Sequence, residues 1–367
     1  MGYAAARGGL EAILAAEDLV RRKRTQGSAA QLGVDQLVQR MRLAVDRVMG
    51  EAGLWAPDLA AKALRQAEGD TIEAAHLLRA YRATRPRLAR PETVDADELV
   101  VLRRIVPAYR VPPGPQLLGR TLDYVGRLLD TSDDLAGTND AEQNGAASRI
   151  NGAGGAAGSQ RRPGRLLDLL RDSGLALDRR TTEDPEPYDI SVKPVRPGVP
   201  RSARLSVMAR AETGSLVNLW YRNVLGTDGY IHEITLGEVR HGWLPVRVAH
   251  PVIGLPVNIG RVRITETEAI EDLNGPDEQR DYFDVGYGIC IGHNERKAIA
   301  MANLDIAVER DRGRSALEQS VLMTTDALES SGFLEHLKLP HYVTFRSMID
   351  RKMSVRAEMK DDTAVAS

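Results

Sequence analysis

Residues 1–85 carry apolar side chains at helical spacing. One stripe consists of Leu10, Ile13, Leu14 and Val20. A second keeps close to i, i+3, i+4, i+7 spacing, and its members are Val34, Leu37, Val38, Met41, Val45, Val48 and Met49. Side chains at this spacing share one face of a helix, so the pattern predicts amphipathic helices here.

Punctuating residues predict the limits of two further helices in this region. Pro57 suits a first helical turn, and Gly69 suits a stop. Asp70 followed by Glu73 is typical of a capping box. The box predicts the start of a fourth helix, which ends near Tyr81.

The middle of the chain predicts helices, connectors and one loop. Residues 85–91 form a linker punctuated by proline. One or two helices are expected within 95–135, around a PPGP turn. Gly, Ala, Asn and Ser dominate 136–164, which predicts a flexible surface loop. A short helix over 165–176 and a proline-rich connector over 185–200 follow.

In the second half of the chain the pattern changes to strands. Trp243, Val246 and Val248 predict one strand, and the β-branched stretch from Val257 to Ile264 predicts another. A third alternates at period two, with large side chains at Val285, Tyr287, Ile289 and Ile291. Glycines follow in the alternate positions of this third strand, and Asn294 can then cap a helix.

Together these patterns predict an α+β protein. A helical N-terminal region, 1–85, precedes a segment of helices, connector and loop at 86–202. The α+β domain at 203–350 holds a sheet flanked by helices, including one at about 315–330. The residues after it, 351–367, are charged or small, which predicts a frayed tail.

Charge and cysteine count narrow the function classes. The 367 residues carry a formal net charge of −2, without the basic field that nucleic-acid-binding proteins use. A single cysteine excludes an internal disulfide framework and suits a reducing cytosol. No apolar run approaches the ~18–20 residues that span a bilayer, and the N-terminus lacks the apolar core of a secretory signal. We therefore expect a soluble cytoplasmic protein without nucleic-acid or membrane partners.

Two histidines near the C-terminal end, His336 and His341, have Pro340 between them. An unbroken helix would point the two rings in different directions. Because Pro340 disfavours a continuing helix at Leu339, a turn could bring both rings to one point. Two neutral imidazoles make half of a tetrahedral metal site, and Cys290 is the only cysteine. Either the pair binds no metal, as ordinary turn or core histidines do, or a partner chain supplies the missing ligands.

The junction after the third predicted strand can hold phosphate. Residues 292–294 bring backbone N–H groups and the positive end of a helix beside Arg296 and Lys297. The alternative is a tight turn with solvated charges. Glu295 in the same turn is a candidate catalytic carboxylate, and its alternative role is to stabilise the first helical turn.

Further polar residues are open to two interpretations each. Arg79 and Arg82 follow the apolar face of the fourth helix, and guanidinium groups suit bidentate phosphate contacts. They also fit a solvated basic helix end. His232, His241 and His250 could be ligands, although histidines scattered in this way are commonly hydrogen-bonded core or surface groups.

Short segments along almost the whole chain carry a family resemblance. They are ARGGLEAI at 6–13, LAVDRVM at 43–49, EAAHLLRAYR at 73–82, QLLG at 116–119, GYGICIG and ERKAIAMA within 286–302, and HLKLPHY at 336–342. By their order and spacing, the chain resembles subunit I of the bacterial carbon–phosphorus lyase core complex, a phosphonate-degrading system. The match is poor over about 132–165 and loose over about 178–230.

The resemblance implies a function that composition does not. In this family the purine of ATP is displaced by an alkylphosphonate at the ribose C1 carbon, which gives a ribose 1-alkylphosphonate 5-triphosphate. Subunit I is the nucleosidase-like component, and alone it hydrolyses ATP or GTP to base and ribose triphosphate. The implied partners are subunits G, H and J and the ATPase-like K and L components, and Mg²⁺ accompanies ATP. The alternative is a non-catalytic scaffold subunit of the same complex.

The resemblance also implies roles for the histidine segment. His336 and His341 would bind Zn²⁺ at the boundary with subunit J, which donates cysteines. Lys338 between them is a candidate phosphate ligand. Cleavage of the N-glycosidic bond needs a carboxylate near C1 and an acid for the leaving purine, while the triphosphate needs Mg²⁺ and cationic side chains. The sequence does not say which residues converge for this chemistry.

Overall fold

The computed structural model is described over residues 9–28, 30–123, 127–129, 131, 164–176, 187–225, 235–271, 281–310, 315–339 and 341–365. Within these ranges the chain forms twelve α-helices and one four-stranded antiparallel sheet, which confirms the predicted α+β class. None of these helices is long and apolar enough to cross a membrane. His232 and nearly all of the predicted loop at 136–164 lie outside the described residues.

Five helices precede the first strand. They are α1 (Gly9–Thr25), α2 (Val34–Arg40), α3 (Arg42–Ala52), α4 (Pro57–Gln66) and α5 (Thr71–Ala83). Helices α2 to α5 share one apolar core, in which Val48, Met49 and Leu78 are buried. The second predicted stripe is divided between α2 and α3, because the backbone leaves the helical conformation at Met41. Pro57 begins α4, as predicted.

The predicted cap of the last of these helices is present. One oxygen of Asp70, Oδ1, accepts hydrogen bonds from the backbone N–H groups of Ile72 at 2.8 Å and Glu73 at 3.2 Å. These are two of the N–H groups that a helix start leaves without a partner. The helix ends at Ala83, two residues beyond the predicted Tyr81.

The sheet has the strand order β1–β2–β3–β4. The strands are β1 (Val100–Ile105), β2 (Thr235–Ala249), β3 (Pro256–Glu271) and β4 (Asp284–Ile291). The three predicted strands lie within β2, β3 and β4. The first strand corrects the expectation of helices within 95–135, since the described part of this stretch contains a 3₁₀ turn at Ala96–Glu98 and β1. Its β-branched side chains favour pairing with β2 over a helix.

Helix α9 (Glu295–Arg310) covers one face of the sheet at close range. The glycines of β4 allow this approach. A Cβ atom at Gly286 would lie 1.9 Å from the carbonyl oxygen of Ala302, and one at Gly288 would lie 2.1 Å from that of Ala298. The alternation of glycine with large side chains in β4 therefore provides the surface on which α9 packs.

Adding a methyl group on this surface should destabilise the protein. We expect Gly286→Ala to lower the free energy of unfolding by about 3 kcal/mol or more, because the clash is with backbone and exceeds ordinary overpacking. Denaturant unfolding of the purified chain measures the change. Gly332→Ala in helix α11 (Ala327–Leu337) is the control, since no atom lies within 4 Å of the added Cβ. Equal effects of the two substitutions would contradict the packing argument.

Three more helices surround the sheet. They are α6 (Leu166–Asp172), α7 (Arg201–Arg210) and α8 (Thr213–Val224). Helix α6 confirms the short helix predicted over 165–176, and its buried Leu166, Leu167 and Leu170 pack with Ile270 of β3. Helices α7 and α8 pack against α9 through a second apolar cluster.

The C-terminal region forms three helices, and two predictions for it were wrong. The helices are α10 (Ser315–Thr324), α11 (Ala327–Leu337) and α12 (Tyr342–Val365). The single helix expected at 315–330 is interrupted before Asp326, whose side chain caps α11 by accepting from the N–H of Leu328 at 3.1 Å. The tail expected to fray over 351–367 is helical up to Val365, because the stretch after Pro340 has no glycine or proline and many strong helix formers. The domain division at residues 85 and 202 stays a prediction.

Candidate functional site

The predicted phosphate junction between β4 and α9 is filled by protein side chains. Asp46 of α3 enters it, and its Oδ2 accepts a hydrogen bond from the backbone N–H of His293 at 3.0 Å. The N–H of Asn294 donates to Thr265 Oγ1 at 3.1 Å, and that of Lys297 donates to Asn294 Oδ1 at 3.2 Å. A carboxylate thus occupies the position predicted for phosphate, since the positive end of a helix favours either anion.

Arg296 and Lys297 are not brought together. Arg296 is exposed, whereas Lys297 is 1% exposed, because consecutive residues point in different directions from a helix. Lys297 Nζ has no hydrogen-bond partner within the described ranges. Burial lowers the pKa of Lys297, and the neighbouring Cys290 and Glu51 oppose that effect. The ammonium group of Lys297 therefore lies inside the protein, and its role as a phosphate ligand stays a prediction.

Glu295 is held in an ion pair at the start of α9. Its Oε1 accepts from Arg103 Nε at 2.5 Å and lies 3.5 Å from His293 Nε2. Burial by itself would raise the pKa of Glu295, but hydrogen bonds from His293 and Arg103 lower it to about 2. This carboxylate is therefore ionised but already paired with Arg103, and its role as the catalytic carboxylate stays a prediction.

The two arginines at the end of α5 differ in their surroundings. Arg79 donates to Asp326 Oδ2 at 2.7 Å and to the carbonyl oxygens of Glu51 at 2.6 Å and Arg210 at 3.0 Å, and its role as a phosphate ligand stays a prediction. Arg82 donates to two carbonyl groups at the end of α3, each at 3.0 Å. Unlike Arg79, Arg82 also lines a cavity.

His336 and His341 come together, as the predicted turn allows. Helix α11 ends at Leu337 and α12 begins at Tyr342, so the two ring centroids lie 5.1 Å apart with nearly perpendicular planes. Nδ1 of His341 lies 2.5 Å from the carbonyl oxygen of Leu339. Donation from Nδ1–H to that carbonyl leaves Nε2 available to a metal, an arrangement common among metal-bound histidines.

Among the described residues, the histidine pair is at most half of a metal site. Both rings are exposed. Across the described ranges, no cluster of three or more His, Cys, Asp or Glu side chains could hold a metal ion. Lys338 beside the pair is also exposed, with Nζ 2.6 Å from Glu335 Oε1. Its role as a phosphate ligand stays a prediction.

The other described histidines among the candidates make ordinary hydrogen bonds. His241 is buried, with Nδ1 2.8 Å from the carbonyl oxygen of Ile264 and its ring stacked on His293 at 4.2 Å. Burial, followed by the neighbouring His293, lowers the pKa of His241 to about 3. Nδ1 of His250 accepts from the N–H of Val252 at 3.1 Å. Both contacts fit the hydrogen-bonded alternative.

The sheet face opposite α9 carries buried charges at its centre. Glu238 and Arg240 lie on β2, and Glu266 and Glu268 lie on the same face of β3. Arg104 of β1 donates to Glu238 Oε1 at 2.7 Å, and Arg240 donates to Glu266 Oε2 at 2.9 Å. Such a layer requires these pairings, because an unpaired charge in the interior is costly.

One guanidinium serves three carboxylates at the edge of this layer. Arg165 donates from Nε to Asp97 Oδ1 at 2.5 Å and from Nη1 to Glu268 Oε1 at 2.6 Å. Nη1 also lies 2.9 Å from Glu266 Oε1. Arg104, Arg165 and Arg240 supply three positive charges against the four carboxylates of Asp97, Glu238, Glu266 and Glu268, so one carboxyl group tends to keep its proton. Burial raises the pKa of Glu268 to about 7, and the nearby Glu266 reinforces this against the opposing effect of Arg165.

Glu268 and its neighbours line a cavity of about 440 Å³, here called the sheet cavity. Its described lining includes Asp95, Asp97, Arg165, Arg201, Glu268 and Tyr287. The volume lies within the ~300–1,000 Å³ of small-molecule sites. Oε2 of Glu268 receives no hydrogen bond from the described residues. A carboxyl group that titrates near neutrality in a polar cavity is a candidate general acid.

Sequence reasoning missed Glu268, although a signal was present. Glu238 and Arg240, and Glu266 and Glu268, place charges at alternate positions of two long strands. In an antiparallel sheet that pattern usually marks the solvent-facing side. The burial of this face depends on its cover by α6 and the 3₁₀ turn, which come from a distant part of the chain.

Known proteins share this sequence over nearly its full length. Residues 2–359 match the family described as "Bacterial phosphonate metabolism protein (PhnI)". A putative C-P lyase subunit protein HtxH from Stutzerimonas stutzeri is 42% identical over 359 residues, which cover 96% of this chain and 95% of the relative. Two proteins named alpha-D-ribose 1-methylphosphonate 5-triphosphate synthase subunit PhnI are also similar. The one from Escherichia coli strain K12 is 38% identical over 358 residues, covering 95% of this chain and 96% of the relative. The one from Rhizobium meliloti strain 1021 is 36% identical over 368 residues, covering 97% of this chain and 95% of the relative.

These matches extend over the helical N-terminal region, the sheet and the histidine segment alike. Identity of 36% to 42% over at least 95% of both chains establishes common descent. The resemblance found in the short sequence segments is thereby confirmed. The chain belongs to the PhnI family of bacterial phosphonate metabolism proteins.

Proposed function

We propose that this chain is the nucleosidase-like subunit of carbon–phosphorus lyase. In the proposed reaction an alkylphosphonate displaces the purine of ATP at the ribose C1 carbon, giving a ribose 1-alkylphosphonate 5-triphosphate. Without phosphonate, water attacks instead, and the chain hydrolyses ATP or GTP to base and ribose triphosphate. The names of two relatives as synthase subunits for the methylphosphonate product support this choice of reaction.

The observation that carries the proposal is Glu268 in the sheet cavity. Burial raises the pKa of its carboxyl group to about 7, so the group is partly protonated at neutral pH. The bond between C1 and the purine nitrogen breaks with both electrons going to the purine. Glu268 donates its proton to the purine, which leaves as the neutral base. A phosphonate oxygen, or a water oxygen that gives up one proton to the Glu268 carboxylate, then forms the new bond to C1.

The sheet cavity also contains a carboxylate that can stabilise the positive charge developing on the ribose during this step. The ribose passes through an oxocarbenium-like state with positive charge at C1, which a nearby carboxylate stabilises. Asp97 lines the same cavity and is held by Arg165. Arg165 also fixes Oε1 of Glu268, so the proton is presented from the other oxygen. Mg²⁺ would enter with the triphosphate and neutralise part of its charge.

Zinc is the second part of the proposal. His336 and His341 fit half of a tetrahedral structural site, and two cysteine thiolates from subunit J would complete it. The carbonyl contact of His341 Nδ1 supports this assignment, because it orients the ring as metal-bound histidines are oriented. A closed N₂S₂ site joins subunits and supplies no activated water.

The exposed surface around the two histidines supports membership of a multi-subunit complex. No side chain of α11 is buried, and the described side chains of α12 are all exposed. Large apolar groups on these two helices include Phe333, Leu334, Leu337, Tyr342, Val343 and Phe345. Apolar patches of this kind mark protein interfaces. The proposed partners are subunits G, H and J, with the ATPase-like K and L components.

The test is transfer by the assembled complex. Partner subunits with this chain, ATP and methylphosphonate should give ribose 1-methylphosphonate 5-triphosphate, detected by ³¹P NMR and by stoichiometric adenine release. The alternative is a scaffold subunit, for which Glu268→Gln in an intact complex would leave transfer unchanged. That result would contradict the proposed role.

A further inference from the structure

A second cavity, distinct from the sheet cavity, gathers arginine side chains. Its volume is about 260 Å³, and we call it the arginine cavity. Arg82 of α5, Arg87 of the following connector and Arg210 at the end of α7 line it. Asp189 is the only carboxylate among its described lining residues. Three guanidinium groups from separate segments thus face one carboxylate.

The carboxylate is already engaged by one of the three arginines. Arg87 Nη1 donates to Asp189 Oδ2 at 2.5 Å, and Arg87 Nη2 donates to Ser191 Oγ at 3.2 Å. The pKa of Asp189 is held well below its usual range by hydrogen bonds from Ser191 and from Arg87. Asp189 and Arg87 therefore balance each other, and the charges of the other two arginines remain.

Arg82 is fixed in position, and Arg210 lies beside it. Arg82 Nη1 is held by the carbonyl oxygens of Ala52 and Gly53, at 3.0 Å each. Gly53 has a φ of 65°, and a Cβ there would lie 3.0 Å from Arg82 Nη1 and 3.7 Å from Arg210 Cδ. The glycine thus leaves room for both side chains.

Arg210 has carboxylates near it, Asp326, Glu329 and Asp189, but is paired directly with none of the described ones. Its guanidinium makes no hydrogen bond or ion pair with any described residue, although the side chain is half-buried. Arg79 is the charged residue with the largest electrostatic effect on Arg210, and it is itself paired with Asp326. Burial lowers the pKa of Arg210 and repulsion from Arg79 lowers it further, while Asp326, Glu329 and Asp189 oppose these effects. Burial, followed by repulsion from Arg210, Arg79 and Arg87, lowers the pKa of Arg82 against the opposing effect of Asp189. An anion in the cavity would relieve this repulsion.

We propose that the arginine cavity binds the oxyanion of a phosphoryl or phosphonyl group. The planar fork of the Arg210 guanidinium matches two oxygens of such a group, and the Arg82 guanidinium lining the same cavity adds a second positive charge. The small volume suits the charged end of a ligand. The source of this group rests on the proposed function. If that function holds, the group belongs to the nucleotide or to the alkylphosphonate.

Calorimetric titration of the full chain with inorganic phosphate, methylphosphonate and ATP tests the proposal. Arg210→Gln should weaken binding of the recognised anion about ten- to hundredfold, because charge-assisted hydrogen bonds are lost. Arg222→Gln is the control, since this exposed arginine ends the neighbouring α8 outside the cavity. Binding of ATP and phosphate that depends on Arg210 assigns the nucleotide as the source. Dependence for methylphosphonate, with ATP binding unchanged, assigns the phosphonate.

A second variant keeps the proposal testable if Arg210→Gln misfolds. Ser206→Asp brings a carboxylate to the cavity lining, where it can pair with Arg210. We expect this variant to retain its melting temperature and to lose anion binding. Failure of the wild-type chain to bind any of the three probes, or binding unaffected in both cavity variants, would overturn the proposal. Adenine release, measured in parallel, separates this outcome from failure of the proposed function, since anion binding that depends on Arg210 stands without it.

Discussion

Glu268→Gln should lower adenine release from ATP by about 10²- to 10⁴-fold, the usual contribution of a general acid. Glutamine keeps the size of the side chain and an oxygen for the hydrogen bond from Arg165, but it cannot protonate the purine. The fold should therefore survive while the chemical step slows. Initial rates of adenine release, measured by chromatography with the purified chain, give the change directly.

The pH dependence provides a second readout of the same substitution. The reactive form of Glu268 is the acid, and burial raises its pKa to about 7. Wild-type turnover should therefore fall as pH rises above about 7, toward tenfold per unit. The residual rate of Glu268→Gln should lack this limb of the profile.

A buried glutamate outside the sheet cavity is the matched control for Glu268. Glu271 lies on the same strand, and burial raises its pKa also, but it lies 3.4 Å from Arg310 and not on the cavity lining. Glu271→Gln should leave the rate of adenine release within a fewfold of wild type. Full activity in a folded Glu268→Gln variant would remove Glu268 from the mechanism.

His336→Ala or His341→Ala should eliminate zinc from the assembled complex. Three remaining ligands cannot close a tetrahedral structural site, so affinity should fall steeply and the joint with subunit J should loosen. Adenine release by the isolated chain should change little, because the metal is not proposed to activate water. Elemental analysis of purified complexes, beside the adenine assay, measures both effects.

An exposed histidine elsewhere is the control for the zinc prediction. His76 on α5 is exposed and distant in sequence from the pair, so His76→Ala should keep the metal. Stoichiometric zinc in a complex with both His336→Ala and His341→Ala would refute the ligand assignment. Loss of adenine release by the isolated His336→Ala chain, with the fold intact, would instead give that histidine a direct part in the chemistry.

Local chemistry was enough to predict several elements of the fold. The Asp70 cap, the helix start at Pro57 and the period-two strand β4 depend on neighbouring residues, and all three are present. The break between α11 and α12, which brings the rings of His336 and His341 together, was likewise predicted from local sequence. Strand β1 was missed because its conformation depends on pairing with β2, more than 130 positions away.

The surroundings of the candidate site residues depend more on distant contacts than the helix starts and strands do. Residues at the junction before α9 have the expected local arrangement, yet Asp46 from α3 fills it. The sequence did not show which face of α9 packs against the protein. It therefore could not predict that Arg296 is exposed and Lys297 buried. The raised pKa of Glu268 arises mainly from burial under α6, with Arg165 opposing it and the nearby Glu266 reinforcing it, and both α6 and Arg165 are about a hundred positions away in sequence.

The most direct test of the central claim is base release by the purified chain alone. The chain is incubated with ATP and Mg²⁺, and adenine and ribose triphosphate are quantified together over time. The account predicts that the two products appear one for one, at a rate that Glu268→Gln lowers by at least about a hundredfold. A correctly folded wild-type chain that releases adenine no faster than Glu268→Gln would contradict it.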